Sequence, residues 1–76
     1  MQIKVYGTGC AKCKKAEEIV RQALAETGKT AEVMKVSDIK DIVMAGVMST
    51  PAVAVDDAIK VAGRVPTLDE VKGWLG

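Results

Sequence analysis

The chain has no histidine, no phenylalanine, one tryptophan, one tyrosine and only two cysteines in 76 residues. Two thiols and no imidazole cannot supply the four ligands of a structural zinc site within one copy. A formal net charge of +1 gives no field for gathering nucleic acid or an anionic membrane. The short Lys12, Lys14, Lys15 cluster has no aromatic interleaving, so it reads as a solvated helix face rather than a nucleic-acid site. No apolar run approaches the roughly 20 residues that span a bilayer. Met1 leads almost directly into the first strand-like run, with no basic-then-apolar leader. The expectation is a cytoplasmic protein with no membrane insertion. Low-complexity stretches, repeats and linkers are also missing, so residues 1–76 read as one domain. The apolar content of 49% is ample for a core, but an aliphatic one. A chain this short can bury only roughly 60% of its unfolded surface.

Against this background the two cysteines stand together, as Cys10-Ala11-Lys12-Cys13. Ile3-Lys4-Val5-Tyr6 reads as a strand before them, and Gly7-Thr8-Gly9 as a tight connection. Cys13, Ala16, Ile19, Val20, Ala23 and Leu24 then recur at helical spacing up to a Gly28 cap. Two thiols three residues apart at a helix start can close a small disulfide loop. The free N–H groups and macrodipole of that helix end stabilise a thiolate. Cys10, at the helix start, is therefore the expected attacking sulfur, and Cys13, one turn in, the expected resolving sulfur. Lys12 and Lys14 oppose the macrodipole, but they would lower the Cys10 pKa below the free value of roughly 8.5.

Further along, residues 31–36 read as a second strand, parallel to the first because a helix separates them. Ser37 or Asp38 caps a second helix with Ile39, Ile42, Val43, Gly46 and Val47 on one face, its last turn weakened by Gly46. Ala52–Val55 and Ala58–Val61 form a hairpin about Asp56-Asp57. Thr67-x-x-Glu70 is a capping box opening a last helix with Leu68, Val71, Trp74 and Leu75 inward. Trp74 reads as core and Tyr6 as rim. Met34, Met44 and Met48 read as gap-fillers. The order β-α-β-α-β-β-α predicts an α/β fold, a four-stranded mixed sheet with helices on both faces.

This order, with a dithiol at the first strand–helix junction and Thr50-Pro51 opening the third strand, resembles the thioredoxin/glutaredoxin fold. Tyr6-Gly7-Thr8-Gly9-Cys10-Ala11-Lys12-Cys13 is similar to the small thioredoxin-like redox-active disulfide proteins of archaea and bacteria. The resemblance implies a cis peptide before Pro51, facing the dithiol, with Thr50 and Pro51 contacting an extended substrate. Three departures from ordinary thioredoxins stand out: Gly9 replaces a Trp, Ala11-Lys12 replaces Gly-Pro, and Lys4 stands six residues before Cys10 in place of a buried acid. Lys4 either assists proton transfer at Cys13 or snorkels past the second helix; the second reading is preferred.

The function expected is a monomeric thiol–disulfide oxidoreductase without cofactor or metal. It would act on protein disulfides and draw electrons from a disulfide reductase. Two thiolates at C-x-x-C also suit a soft-metal carrier of the Cu(I) type, or a dithiol module serving one dedicated partner. Heavy-metal-associated domains, however, resemble M-x-C-x-x-C, with Met where Thr8 stands, and follow the order β-α-β-β-α-β.

Overall fold

The fold was analysed in a computed structural model, which describes residues 1–9 and 11–75. Cys10 and Gly76 lie outside the described residues. The elements run β1 (Gln2–Tyr6), α1 (Ala11–Thr27), β2 (Glu32–Val36), α2 (Ile39–Met44), β3 (Ala52–Val55), β4 (Ala58–Ala62) and α3 (Leu68–Leu75). They build a four-stranded sheet in the order β2-β1-β3-β4. β1 pairs parallel with β2 and antiparallel with β3, and β3 pairs antiparallel with β4. This is the mixed α/β sheet that the element order predicts.

Strand alternation divides the residues of β1 between two cores. Ile3 and Val5 join Val53, Val55 and Val61 on one face, where Ala16, Val20 and Ala23 of α1 and Val71 and Leu75 of α3 pack. Ala16 and Ala23 are fully buried, and their small side chains let α1 lie close to the sheet in a core with no phenylalanine. Each fully buried Ile or Val contributes about 1.5–3 kcal/mol. Tyr6, Ala52 and Ala54 face the other way, against Ile42 of α2 and Val47. Tyr6 is therefore core and Trp74 the half-buried rim, the reverse of the expectation. The reason is strand parity: Tyr6 lies in the central strand β1, under α2, whereas Trp74 is in the last turn of a terminal helix.

The second helix is shorter than expected, and Gly46 ends it rather than weakening it. Asp38 is the N-cap, accepting from the Lys40 backbone N–H at 2.9 Å. At the other end the Gly46 N–H donates to the Val43 carbonyl at 3.0 Å, and the Val47 N–H to the Ile42 carbonyl at 3.2 Å. With Gly46 at φ 84°, this is a Schellman closure, and Val47 and Ile42 supply its apolar contact. Six residues cannot present a wide buried face. Ile39 (66% exposed) and Val43 (65%) point to solvent, contrary to the expected apolar stripe. Met34, Met44 and Met48 are exposed as well, so none of the three fills a gap in the core.

Asp56 and Asp57 both have positive φ (49° and 69°), which identifies the hairpin loop as a type I′ turn. Asp56 is held by reciprocal bonds with Gln2, each 2.8 Å long. A register shift beside Val53 skips Lys60, placing Ile59 opposite Ala54 and Val61 opposite Val53. The bulge thus sends Val61 into the α1 core, where strict alternation would have put both residues on one face.

The capping box forms as expected. The Glu70 N–H donates to Thr67 Oγ1 at 3.2 Å, and the Thr67 N–H to Glu70 Oε1 at 3.0 Å. Arg64 adds a two-pronged contact to the same carboxylate, both bonds 2.7 Å. That contact, followed by the backbone bond from Thr67, lowers the Glu70 pKa from 4.5 to about 2. Because the folded value lies below the unfolded one, the contribution is fully present above about pH 4.5 and is lost as the pH falls toward 2. Glu70→Gln should therefore lower the thermal midpoint at pH 7, and the gap to wild type should close between pH 4.5 and 2. Melting curves of both proteins across that range check this, and a gap independent of pH would contradict it.

Candidate functional site

The site is built where β1 runs out and α1 begins. Cys13 lies in the first turns of α1 on its buried stripe with Ala16 and Val20, and is only 6% exposed. Gly7 is buried beside it and continues the parallel ladder, its N–H donating to the Val36 carbonyl at 2.9 Å. A Cβ placed on Gly7 would come within 2.7 Å of Cys13 Cβ and closer still to its sulfur. The missing side chain at Gly7 is therefore the space that Cys13 occupies. Gly7 is a site residue that sequence reasoning assigned only to a tight connection. Its signal was available, since a glycine at a strand end often marks a close backbone approach. Gly9 has the different task that was expected of a turn: its φ is +89°, and nothing stands within 4 Å of a Cβ there.

The first turn of α1 contains no acidic residue. Lys12 and Lys14 are exposed there. Cys10, the sulfur they are expected to tune, lies outside the described residues. Lys14 also lines a cavity beside Cys13, together with Val5, Gly7, Lys35 and Ser37.

The Thr50–Pro51 peptide is cis. Pro51 is fully buried and Thr50 exposed, and the Pro51 carbonyl accepts from the Gly63 N–H at 2.9 Å. Tyr6 pairs with Ala52, so one further step of the same register sets Pro51 across from Gly7. Thr50-Pro51 and Cys13 therefore belong to the same end of the sheet, and of this proline segment Thr50 and Met48 (95% exposed) are surface residues.

Lys4 does not belong to this group. Strand parity turns it to the α2 face, away from Val5 and Cys13, and its Nζ reaches Asp57 at 3.1 Å. The hydrogen bond and charge of Asp57 raise its pKa. The stem crosses the sheet and the ammonium reaches the hairpin, which is the snorkelling arrangement and not a route to Cys13.

Comparison with known proteins gives a consistent picture. The thioredoxin domain family model matches residues 1–76. A protein named thioredoxin from Methanothermobacter thermautotrophicus is 42% identical over 75 residues, covering 99% of this chain and 97% of its own length. A second protein of that name, from Methanocaldococcus jannaschii, is 43% identical over 73 residues, covering 96% and 84%.

Proposed function

This chain belongs to the thioredoxin domain family, and from that premise we propose that it reduces protein disulfides through a Cys10/Cys13 dithiol–disulfide couple. The observation that carries this reading is the seat of Cys13, buried against a side-chain-free Gly7 at the β1–α1 junction. Cys10 immediately precedes α1 in the chain, where unpaired helix N–H groups, Lys12 and Lys14 favour its thiolate.

In the mechanism, the Cys10 thiolate attacks one sulfur of a protein disulfide. The other substrate sulfur leaves as a thiolate and takes a proton. Cys13, having lost its own proton, then attacks Cys10, closing the internal disulfide and releasing the second substrate thiol. An extended substrate lies along Thr50, with Pro51 fixing that segment from beneath. Electrons return from a disulfide reductase, and a reducing cytoplasmic setting suits such a cycle. The chain acts as a monomer and as one domain, with no cofactor. A soft-metal carrier fits less well, because α2 and α3 give an element order foreign to heavy-metal-associated domains.

The test is reduction of a protein disulfide such as insulin with dithiothreitol as the terminal reductant. Wild type should accelerate it, and Cys10→Ser or Cys13→Ser should return the rate to that of dithiothreitol alone. A wild type without effect, together with tight Cu(I) binding by both thiolates, would replace this reading with the carrier.

A further inference from the structure

The two edges of the sheet are built differently. β4 is interrupted by its bulge, which skips Lys60 and breaks the row of outward backbone groups. β2, the opposite edge, pairs with β1 in an unbroken register from Glu32 to Val36, with no bulge and no proline. The helices lie inward of it. α1 packs chiefly over β1 and β3, and Ile42 of α2 rests on Tyr6, Ala52 and Ala54 of the same two strands.

The ladder shows which groups β2 offers. The Glu32 N–H donates to the Met1 carbonyl at 3.1 Å, and the Val36 carbonyl accepts from the Gly7 N–H at 2.9 Å. Along a pleated strand alternate residues turn their N–H and C=O to the same side, so Glu32, Met34 and Val36 bond inward. Val33 and Lys35 turn theirs outward, where no strand pairs with them among the described residues. Two outward residues flanking one inward residue are what a second copy of the same strand requires. Laid antiparallel about a two-fold axis at Met34, Val33 of each copy stands opposite Lys35 of the other, and each such pair exchanges two N–H···O bonds. Every outward N–H and C=O of Val33 and Lys35 is then used. The two Met34 residues oppose each other on the α2 face, in the closer, non-hydrogen-bonded position. Met34 is 37% exposed. Beside it Tyr6, Val36 and Ala45 help to line a cleft of about 240 Å³, open to the flexible thioether of the opposing copy. A lysine normally protects such an edge. Here Glu17 meets the Lys35 ammonium at 3.4 Å, so two copies approach with no uncompensated cation between them.

We propose that the outer edge of β2 is a self-association surface, on which a second copy of this chain continues the sheet. The contact is smaller than the roughly 1,200 Å² at which stable interfaces begin, so the pair forms only at high concentration. Because β1 and β2 are parallel and the two β2 strands oppose, the two β1–α1 junctions lie at opposite ends of the joined sheet. Both stay open and the monomer remains the catalytic unit, so the proposal does not depend on the oxidoreductase reading.

The full chain tests it. In sedimentation equilibrium, reduced wild type should rise from monomer toward dimer mass by about 1 mM. Met34→Lys sets like charges opposite each other at the axis, and should stay monomeric with an unchanged circular dichroism spectrum. Cross-linking then checks the register, in a background carrying Cys10→Ser and Cys13→Ser. Met34→Cys should form a disulfide-linked dimer under mild oxidation, because Cα atoms of a non-hydrogen-bonded antiparallel pair lie about 4.5 Å apart, within disulfide reach. Glu32→Cys, exposed in the same strand, stands four residues out of register with its own copy, roughly 13 Å away. It should link at least roughly tenfold more slowly. A wild type that remains monomeric at about 1 mM would overturn the proposal, as would a folded Met34→Lys variant that still dimerises. Equal linking at positions 32 and 34 would overturn it too, and that comparison stands even if Met34→Lys does not fold.

Discussion

Cys13→Ser should accumulate mixed disulfides with substrate proteins, and Cys10→Ser should trap far fewer. The asymmetry follows from position. Cys13 is in the first turn of α1 on its buried face and only 6% exposed, enclosed by Gly7 and the α1 face of the sheet, so an intact substrate disulfide cannot reach it in line. Its role is to attack an intermediate already attached at the helix start. With a hydroxyl in its place, that intermediate has no internal nucleophile and must wait for an external thiol. In the converse variant the remaining thiol is the sheltered one, and little adduct forms. Non-reducing electrophoresis after incubation with a disulfide-bonded protein, followed by mass spectrometry of the adducts, checks this. Equal trapping by both variants would overturn the assignment of roles. A carrier with two equivalent metal ligands would lose affinity similarly with either substitution and form no adducts.

Gly7→Ala should damage both stability and the resolving step. The new Cβ would meet Cys13 Cβ at 2.7 Å and its sulfur closer still, and the opposing atoms all belong to Cys13, buried in α1, rather than to a flexible surface chain. Relief requires α1 to move off the sheet or Cys13 to leave its rotamer. Overpacking of this kind costs about 1–3 kcal/mol, against a total on the order of 4–11 kcal/mol for a domain of this length. The displacement also moves the resolving sulfur. Beyond a lower denaturant midpoint, the variant should therefore release mixed disulfides slowly, trapping an amount between wild type and Cys13→Ser. Gly9→Ala is the control. Its left-handed φ makes it cost about 1–2 kcal/mol, yet nothing stands near its Cβ, so comparable destabilisation should come without trapping. If both alanine variants trap equally, loss of stability alone is the cause and the Gly7–Cys13 contact is not special.

Much of this molecule is written locally. The α1 stripe at Cys13, Ala16 and Val20, the Gly28 stop, the Thr67–Glu70 box and the Asp56-Asp57 turn each depend on residues within one or two turns of chain. Short-range geometry alone therefore places them, and with them the β-α-β-α-β-β-α order and Cys13 near the start of a helix. The errors arise where distant segments meet. Tyr6 and Trp74 exchange places because burial depends on which strand is central and which helix covers it. The expected apolar face of α2 disperses because a Schellman closure at Gly46 leaves six residues, too few to cover the sheet, and exposes Ile39 and Val43. Lys4 stands at a suggestive spacing from Cys10, but spacing along a strand says nothing about parity relative to a helix on the opposite face. The role of Gly7 was hidden for a related reason. A glycine that serves a turn and a glycine that makes room for a neighbour are the same letter, and only the approach of α1 to the end of β1 distinguishes them. The sequence by itself determined the elements and their order, and set two cysteines together as Cys10-Ala11-Lys12-Cys13. The tertiary structure alone decided which face each side chain joined, what Cys13 rests against, and that Lys14 and Lys35 converge beside it, because these depend on contacts between residues far apart in the chain.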